Sequence, residues 1–192
     1  GKGKGMGYMG IYLDRGASHI IIENNLVYRI QGRCFNRNQA SNSIVRNNIF
    51  ASSYGTICAP GALMVDDIPC SLSFVRNILY LLKESKQGTS AFLSSLADAA
   101  KLDMFNFNRN CYWQANKGDL LFSKYDKLTW EAWRSAGMDA TSIVADPLFK
   151  DPENGDFTLK PGSPAVEKLG FKPFDLSSAG PRNRESKNFS SP

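Results

Sequence analysis

The chain has no apolar run approaching the roughly 18 residues of a membrane span, so no membrane span is predicted. Its longest apolar stretches are short, Ile20–Ile22 and Ile78–Leu82. Histidine is almost missing: His19 is the only one. The four cysteines, Cys34, Cys58, Cys70 and Cys111, include no C-x-x-C pair. Together these absences exclude a Cys/His zinc site. No acidic cluster has calcium spacing, and nucleophile-elbow, P-loop and dinucleotide motifs are missing too. The opening Gly-Lys-Gly-Lys-Gly follows no strand, as a phosphate loop would. No metal ion and no cofactor is therefore expected. The cysteines remain open to two readings: Cys58 and Cys70 closing one excursion between strands, or reduced and buried thiols. No apolar segment follows the opening residues, so no signal peptide is read. The chain is then a mature form, a fragment or a cytosolic protein.

What is present is an ordinary supply of core residues. The chain has 192 residues, 42% of them hydrophobic, enough for one domain with a substantial interior. Net charge is +5, which serves solubility and attracts acidic partners such as uronate sugars, nucleic acid or anionic lipid. The basic residues are dispersed, clustering only at Lys2/Lys4 and Arg182/Arg184/Lys187. With no RNA-binding signature and no helix-turn-helix pattern, nucleic acid is not an expected partner.

The organising signal is an internal repeat. Ile22-Glu23-Asn24-Asn25-Leu26-Val27-Tyr28 is echoed by Val45-Arg46-Asn47-Asn48-Ile49-Phe50. It returns as Val75-Arg76-Asn77-Ile78-Leu79-Tyr80 and as Asn108-Arg109-Asn110-Cys111-Tyr112-Trp113. Each copy runs from a β-rich stretch through a charged residue and Asn into apolar or aromatic residues. Taking Glu23, Arg46, Arg76 and Arg109 as equivalent gives spacings of 23, 30 and 33 residues. The first suits one turn of a β-helix, and the other two a turn plus a loop. In such a solenoid each strand pairs with the coils above and below, about 4.8 Å away. Inward side chains build a core that no single coil could bury. Asn tolerates the left-handed conformation of the tight turn between strands, and stacked Asn side chains can form a hydrogen-bonded ladder. The Asn residues are read as structural.

Both ends of a solenoid need covering. Thr129–Ala136 reads as a short helix, with Thr129 as N-cap, Glu131 in the first turn and Gly137 just past the end. Trp130 and Trp133 share one of its sides and are expected to pack on the last coil. Asp146-Pro147-Leu148-Phe149, Gly155-Asp156-Phe157-Thr158-Leu159 and Pro161–Val166 read as turn, short strand, turn. The predicted organisation is all-β: a right-handed parallel β-helix of about four coils. It spans residues 1–125, with a C-terminal cap over 126–175 and a polar tail over 176–192. That tail carries an Asn188-Phe189-Ser190 glycosylation match. No comparable cap precedes Gly7–Asp14, which predicts further coils before it or another chain covering that end.

At this point the residues resemble a known group. Gly10-Ile11-Tyr12-Leu13-Asp14, the Glu-Asn-Asn-Leu-Val-Tyr of coil one, the Arg-Asn-Asn-Ile-Phe-Ala of coil two and the 146–165 tail are similar to bacterial right-handed parallel β-helix proteins. These are usually secreted and carbohydrate-active, and include glycoside hydrolases and relatives of polysaccharide lyases. The resemblance covers roughly residues 7–180 and only the C-terminal part of such proteins. It implies an extracellular location and a polysaccharide or other glycan as partner. It places a functional carboxylate at Asp14 and a second polar cluster at Cys34–Gln39, where Asn38 stands in place of a histidine.

The chemistry that follows has alternatives. Hydrolysis needs two carboxylates, about 5–5.5 Å apart for retention or about 6.5–9.5 Å for inversion. Asp14 is the catalytic candidate, with Asp66 or Asp67 as possible partners. Asn38 has no titrating proton and supplies no acid–base function. A β-elimination lyase would draw on Arg15, Arg33 or Arg37, although arginine gives up its proton reluctantly. Tyr12, Arg15, Arg37 and Asn38 are the candidate substrate-binding residues, on the outer surface of the first sheet. His19 is read as a turn residue. The competing expectation is a non-catalytic structural or assembly module, with Asp14 serving as a turn residue.

Overall fold

A computed structural model describes residues 8–52, 56–59, 64–65, 68–83, 91–93, 104–116, 122 and 128–177. Asp66, Asp67, Lys2, Lys4, the Arg182/Arg184/Lys187 cluster and the 188–190 match lie outside the described residues, as does most of the expected tail.

The described chain winds as a parallel β-helix. Coil one comprises β1 (Met9–Leu13), β2 (Ile21–Glu23) and β3 (Leu26–Tyr28); coil two, β4 (Arg33–Arg37), β5 (Ser43–Arg46) and β6 (Ile49–Ser52). Coil three has β7 (Thr56–Ala59), an antiparallel hairpin of β8 (Met64–Val65) and β9 (Ile68–Pro69), then β10 (Leu72–Val75) and β11 (Ile78–Leu81). Coil four has β12 (Ala91–Leu93), β13 (Phe105–Asn108) and β14 (Cys111–Gln114). These stack into three parallel sheets, β1-β4-β7-β12, β2-β5-β10-β13 and β3-β6-β11-β14, the last extended by β15 (Ile143–Val144).

Strand alternation builds the interior. In the second sheet Ile22, Val45, Phe74 and Phe107 stack in register and are buried, while Ile21, Ile44, Ser73 and Asn106 look outward. Aromatic rings run up the core: Phe35 to Phe50 at 6.2 Å, Phe50 to Phe74 at 6.0 Å and Phe74 to Phe107 at 5.1 Å between centroids. Each such pair adds about 0.5–1.5 kcal/mol beyond its buried area. Trp133, fully buried, closes the column 5.5 Å beyond Phe107.

The register corrects one equivalence read from the repeat. Glu23 and Arg46 are partners, but the next two rungs are Val75 and Asn108 rather than Arg76 and Arg109. Arg76 and Arg109 belong with Asn24 and Asn47 in a corner column whose φ angles are 55°, 54°, 58° and 54°. That left-handed conformation costs an ordinary residue about 1–2 kcal/mol, less for Asn. At Arg76 and Arg109 the stacked neighbours impose it, Arg76 N–H donating to Asn108 O at 3.2 Å.

The residue after each corner forms the expected Asn ladder. The backbone and side-chain N–H groups of Asn25 both donate to Asn48 Oδ1 at 3.0 Å. Asn48 repeats this onto Asn77 Oδ1 at 3.0 Å, and Asn77 onto Asn110 Oδ1 at 2.9 and 3.3 Å. Asn110 ends the run, its backbone N–H on Ser142 Oγ at 2.7 Å and its amide on Asp139 Oδ1 at 3.0 Å. Asp139 also accepts from Tyr112 Oη, Trp133 Nε1 and Ser142 Oγ. Burial pushes its carboxyl above the ordinary carboxylate value against the pull of these donors.

The C-terminal part does two jobs, where a single end cap was expected. Helix α1 (Trp130–Ser135) covers the end of the core. Thr129 Oγ1 accepts from Ala132 N–H, and Gly137 sits at φ 86° beyond the C-cap, as the sequence predicts. The remainder, β16 (Phe149–Asp151), β17 (Asp156–Leu159) and α2 (Pro164–Glu167), lies along the outer face of the third sheet. It buries Ile49, Ile78, Tyr80 and Cys111 under Phe149, Phe157, Ala165, Leu169 and Phe171. It reaches back as far as coil one, where Phe157 meets Tyr28 edge-on at 5.2 Å.

Coil one is the least covered. Ile21 is 55% exposed, and Ile11, Val27 and Leu26 are only partly buried, against 0% for Phe35, Val45 and Phe50 one coil further on. All four cysteines are free and buried, so the pairing of Cys58 with Cys70 is not made. Burial pushes the Cys34 and Cys111 thiols up to about 12 and the Cys58 thiol higher still.

Candidate functional site

Asp14 follows β1 directly, and Asn38 follows β4. Because Leu13 pairs with Arg37, these two residues occupy adjacent rungs of the same corner. The backbone fixes that corner: Asn38 N–H donates to Leu13 O at 2.7 Å and Ala17 N–H to Asp14 O at 3.1 Å. One oxygen of the Asp14 carboxylate gathers three donors. They are the Arg15 backbone N–H at 2.8 Å, Asn38 Nδ2 at 2.9 Å and Tyr12 Oη at 3.1 Å. These hold the carboxyl below the ordinary value, the Arg15 amide most strongly, followed by Asn38 and Tyr12.

Three of the four expected binding residues therefore meet around Asp14. Tyr12 is 45% exposed, and Asn38, Arg15 and Asp14 are exposed. Next to Tyr12 on coil two stands Asn36, whose Oδ1 accepts from Arg33 Nη1 at 2.8 Å. Tyr12 is thus a solvent-facing ring whose hydroxyl is tethered, beside the Asp14 carboxylate and the exposed Asn38 carboxamide.

Arg37 is not on that surface. It is 1% exposed, its guanidinium donating to the carbonyls of Ala40, at 2.7 Å, and Cys70. It lies 5.2 Å from the centre of the Phe105 ring. Burial lowers its pKa to about 10. The physical reason is that main-chain carbonyls at the corner need donors, and a guanidinium supplies several in one plane. Arg37 is a structural tie between coils two and three and has no access to a substrate.

Asp14 has hydrogen bonds from an amide, a carboxamide and a phenol, and none with another carboxyl group. Asp66 and Asp67, its expected partners, lie outside the described residues. A carboxyl held below its ordinary value is ionised near neutrality and has no proton to give as a general acid. His19 is exposed at φ 57°, a turn residue as expected. No group of three or more His, Cys, Asp or Glu side chains is placed to hold a metal ion among the described residues. No described helix is long and apolar enough to cross a membrane.

Two concavities lie away from Tyr12 and Asp14. One, of about 450 Å³, runs between Leu26 and Ile49 of the third sheet and the flanking segment at Phe157, Phe171 and Phe174. The other, of about 280 Å³, is polar and lies at the corner between the second and third sheets. Its residues, Glu23, Asn24, Arg46, Asn47, Arg76 and Lys172, were not singled out as a site from the sequence. Lys172 is 125 residues from its neighbour Asn47, and no local pattern reports such a meeting.

No curated protein and no solved structure matches the chain. Residues 4–170 match the family described as a domain of unknown function, DUF5123, and the chain belongs to that family.

Proposed function

We propose that this protein is a carbohydrate-binding β-helix domain that engages a glycan at the Tyr12–Asp14–Asn38 corner without cleaving it. The observation that carries the reading is the tethered, exposed Tyr12 ring beside the ionised Asp14 carboxylate and the Asn38 amide. An aromatic face offers apolar contact to the C–H face of a sugar ring. A carboxylate and a carboxamide accept from and donate to its hydroxyls. Because the Asp14 bonds already fix the ring, little side-chain freedom is lost on binding. The resemblance to secreted carbohydrate-active proteins supports the ligand class and an extracellular place of action. Binding rather than hydrolysis is favoured because the proton a general acid needs is absent from Asp14, and Asn38 stands where such relatives carry a histidine.

The test is retention on a panel of immobilised polysaccharides, with reducing-end release measured in parallel. Retention on at least one polysaccharide, its loss in Tyr12→Ala and no release of reducing ends are expected. Failure of the wild type to bind any member refutes the reading, and release of reducing ends that disappears in Asp14→Asn replaces it with hydrolysis.

A second reading, an assembly module covered at coil one by another chain, is favoured by one observation. Strands β1, β2 and β3 each form an unpaired sheet edge beside the exposed Ile20 and Ile21 among the described residues. Light scattering that finds only monomer at high protein concentration counts against a self-association of this kind.

A further inference from the structure

The polar groove at the corner between the second and third sheets carries more charge than its surroundings neutralise. Its lining holds one carboxylate, Glu23, and three cations, Arg46, Arg76 and Lys172. Arg46 Nε holds Glu23 Oε2 at 2.6 Å. The Arg76 guanidinium and the Lys172 ammonium have no hydrogen bond or ion pair among the described residues, leaving the lining with an excess of two positive charges.

The two cations are placed by different parts of the chain, and both are held by the backbone. Arg76 occupies the left-handed corner column one rung above Asn47, its conformation set by stacking on Asn108. Lys172 comes from the segment that flanks the third sheet. Asn47 clamps it, Nδ2 donating to Lys172 O at 2.7 Å while Oδ1 accepts from Lys172 N–H at 2.7 Å. The same Asn47 amide donates to Asn24 Oδ1 at 2.7 Å, which leaves Asn24 Nδ2 as a further donor on the groove wall. Rungs are about 4.8 Å apart, so the donors at Asn24 and Arg76 span two rungs with Asn47 between them. A guanidinium, an ammonium and a carboxamide N–H group around a concavity of about 280 Å³ outnumber the one carboxylate of its lining, Glu23, which Arg46 holds, and suit an anion with several acceptor oxygens.

We propose that this groove binds an oxyanion, a carboxylate or sulfate group, through Arg76, Lys172 and Asn24. The site is separate from the Tyr12 corner and stands or falls independently of it. Two sources supply such a group: an acidic glycan lying along the corner column, or a free inorganic anion.

The test is an NMR titration of the full chain with inorganic sulfate, a uronate disaccharide and a neutral disaccharide. It is run on the wild type, on Arg76→Asn/Lys172→Gln and on Tyr12→Ala. Asn is chosen at position 76 because Asn24 and Asn47 occupy the same corner conformation, so the coil is preserved; circular dichroism verifies this. Sulfate or the uronate is expected to shift the amide signals of Asn24, Arg76 and Lys172. Sulfate affinity, read at these signals, is expected to fall about tenfold or more in the double variant and to stay unchanged in Tyr12→Ala. Tighter binding of the uronate than of sulfate assigns the anion to a glycan, and binding of sulfate alone assigns it to a free ion; both support the site. Absence of shifts with either anion, or equal binding by the double variant, overturns the proposal.

Discussion

Replacing Asn77 tests the Asn ladder where it is deepest. The side chain is fully buried and uses its whole carboxamide. Its Oδ1 accepts from the Asn48 backbone N–H and from Asn48 Nδ2, both at 3.0 Å. Its Nδ2 donates to Val45 O at 2.9 Å and to Asn110 Oδ1 at 3.3 Å. In Asn77→Ala some of these neighbours are rescued. Asn48 Nδ2 keeps Ile22 O and Arg46 O, and Asn110 Oδ1 keeps the backbone N–H of residue 77. The Asn48 backbone N–H and one lone pair of Val45 O are not. An unsatisfied buried donor costs about 1–3 kcal/mol, a lost acceptor contact about 1 kcal/mol, and the void adds to both. The expected loss is about 3–5 kcal/mol, a large part of the stability of a domain this size. Asn25→Ala is the internal control. Asn25 is half-buried, none of the described residues donates to its side-chain Oδ1, and its backbone bond to Asn48 Oδ1 survives the substitution. Its cost is expected below about 1 kcal/mol. Equilibrium urea unfolding followed by circular dichroism measures both. An Asn77→Ala cost within about 1 kcal/mol of the Asn25→Ala cost would refute the claim that the ladder, rather than apolar stacking, ties the coils at this corner.

Other predictions follow the same reasoning. A carboxyl raised in the folded state binds its proton more tightly there than in the unfolded chain. The Asp139 contribution to stability is therefore greatest at acid pH and falls as pH rises from about 3.8 through its raised folded value. Asp139→Asn should remove that part of the pH dependence, and an unchanged slope would show the group does not titrate as argued. Asp14 has the opposite sign: its contribution is present above the ordinary carboxylate value and lost as pH falls through its lowered one. In a carboxyl NMR titration, Tyr12→Phe and Asn38→Ala should each move Asp14 back up. A Cβ on Gly10 would stand 2.4 Å from Val27 Cγ1 and 2.7 Å from the Cys34 carbonyl oxygen, so Gly10→Ala should cost about 1–3 kcal/mol in urea unfolding. All four thiols should resist a thiol reagent at pH 8 in the folded protein and react together on unfolding.

The coiled architecture was legible because one physical requirement repeats. Every coil must place an apolar strand, a left-handed corner and a laddering amide in the same order. Val45-Arg46-Asn47-Asn48-Ile49 and its echoes record that requirement in consecutive residues. Register was less legible, since the left-handed corner accepts both Asn and Arg. The charged residue alone then aligns Arg76 with Arg46, one position off. The flanking role of residues 146–174 was hidden for another reason. Phe149, Phe157 and Phe171 read as apolar residues between turns, and nothing local says whether they cover the end of a core or the side of a sheet. That choice belongs to the third sheet, whose outer face carries Ile49, Ile78 and Tyr80 and must be covered by something.

The candidate site divides along the same line. Tyr12, Asp14 and Asn38 were singled out through the family resemblance, and strand pairing one coil apart brings Asp14 and Asn38, 24 positions distant, into contact. Arg37 was misread because charge is a poor guide to exposure where a corner carbonyl needs a donor. Asp139 was passed over for a related reason: it belongs to no Asn copy of the repeat. Its place follows from the direction of the ladder. Each carboxamide accepts from the coil before it and donates to the coil after it, so a column of Asn can extend without limit but cannot end itself. Its C-terminal end needs groups that accept, and Asp139 with the Ser142 hydroxyl supplies them, while Tyr112 and Trp133 use the second carboxylate oxygen to tie the helix to the last coil. At the other end the side-chain Oδ1 of Asn25 has no donor among the described residues. Among the described residues the column is thus closed at the helix and left with a vacant acceptor at coil one, where a single amide N–H would continue it by the same rule.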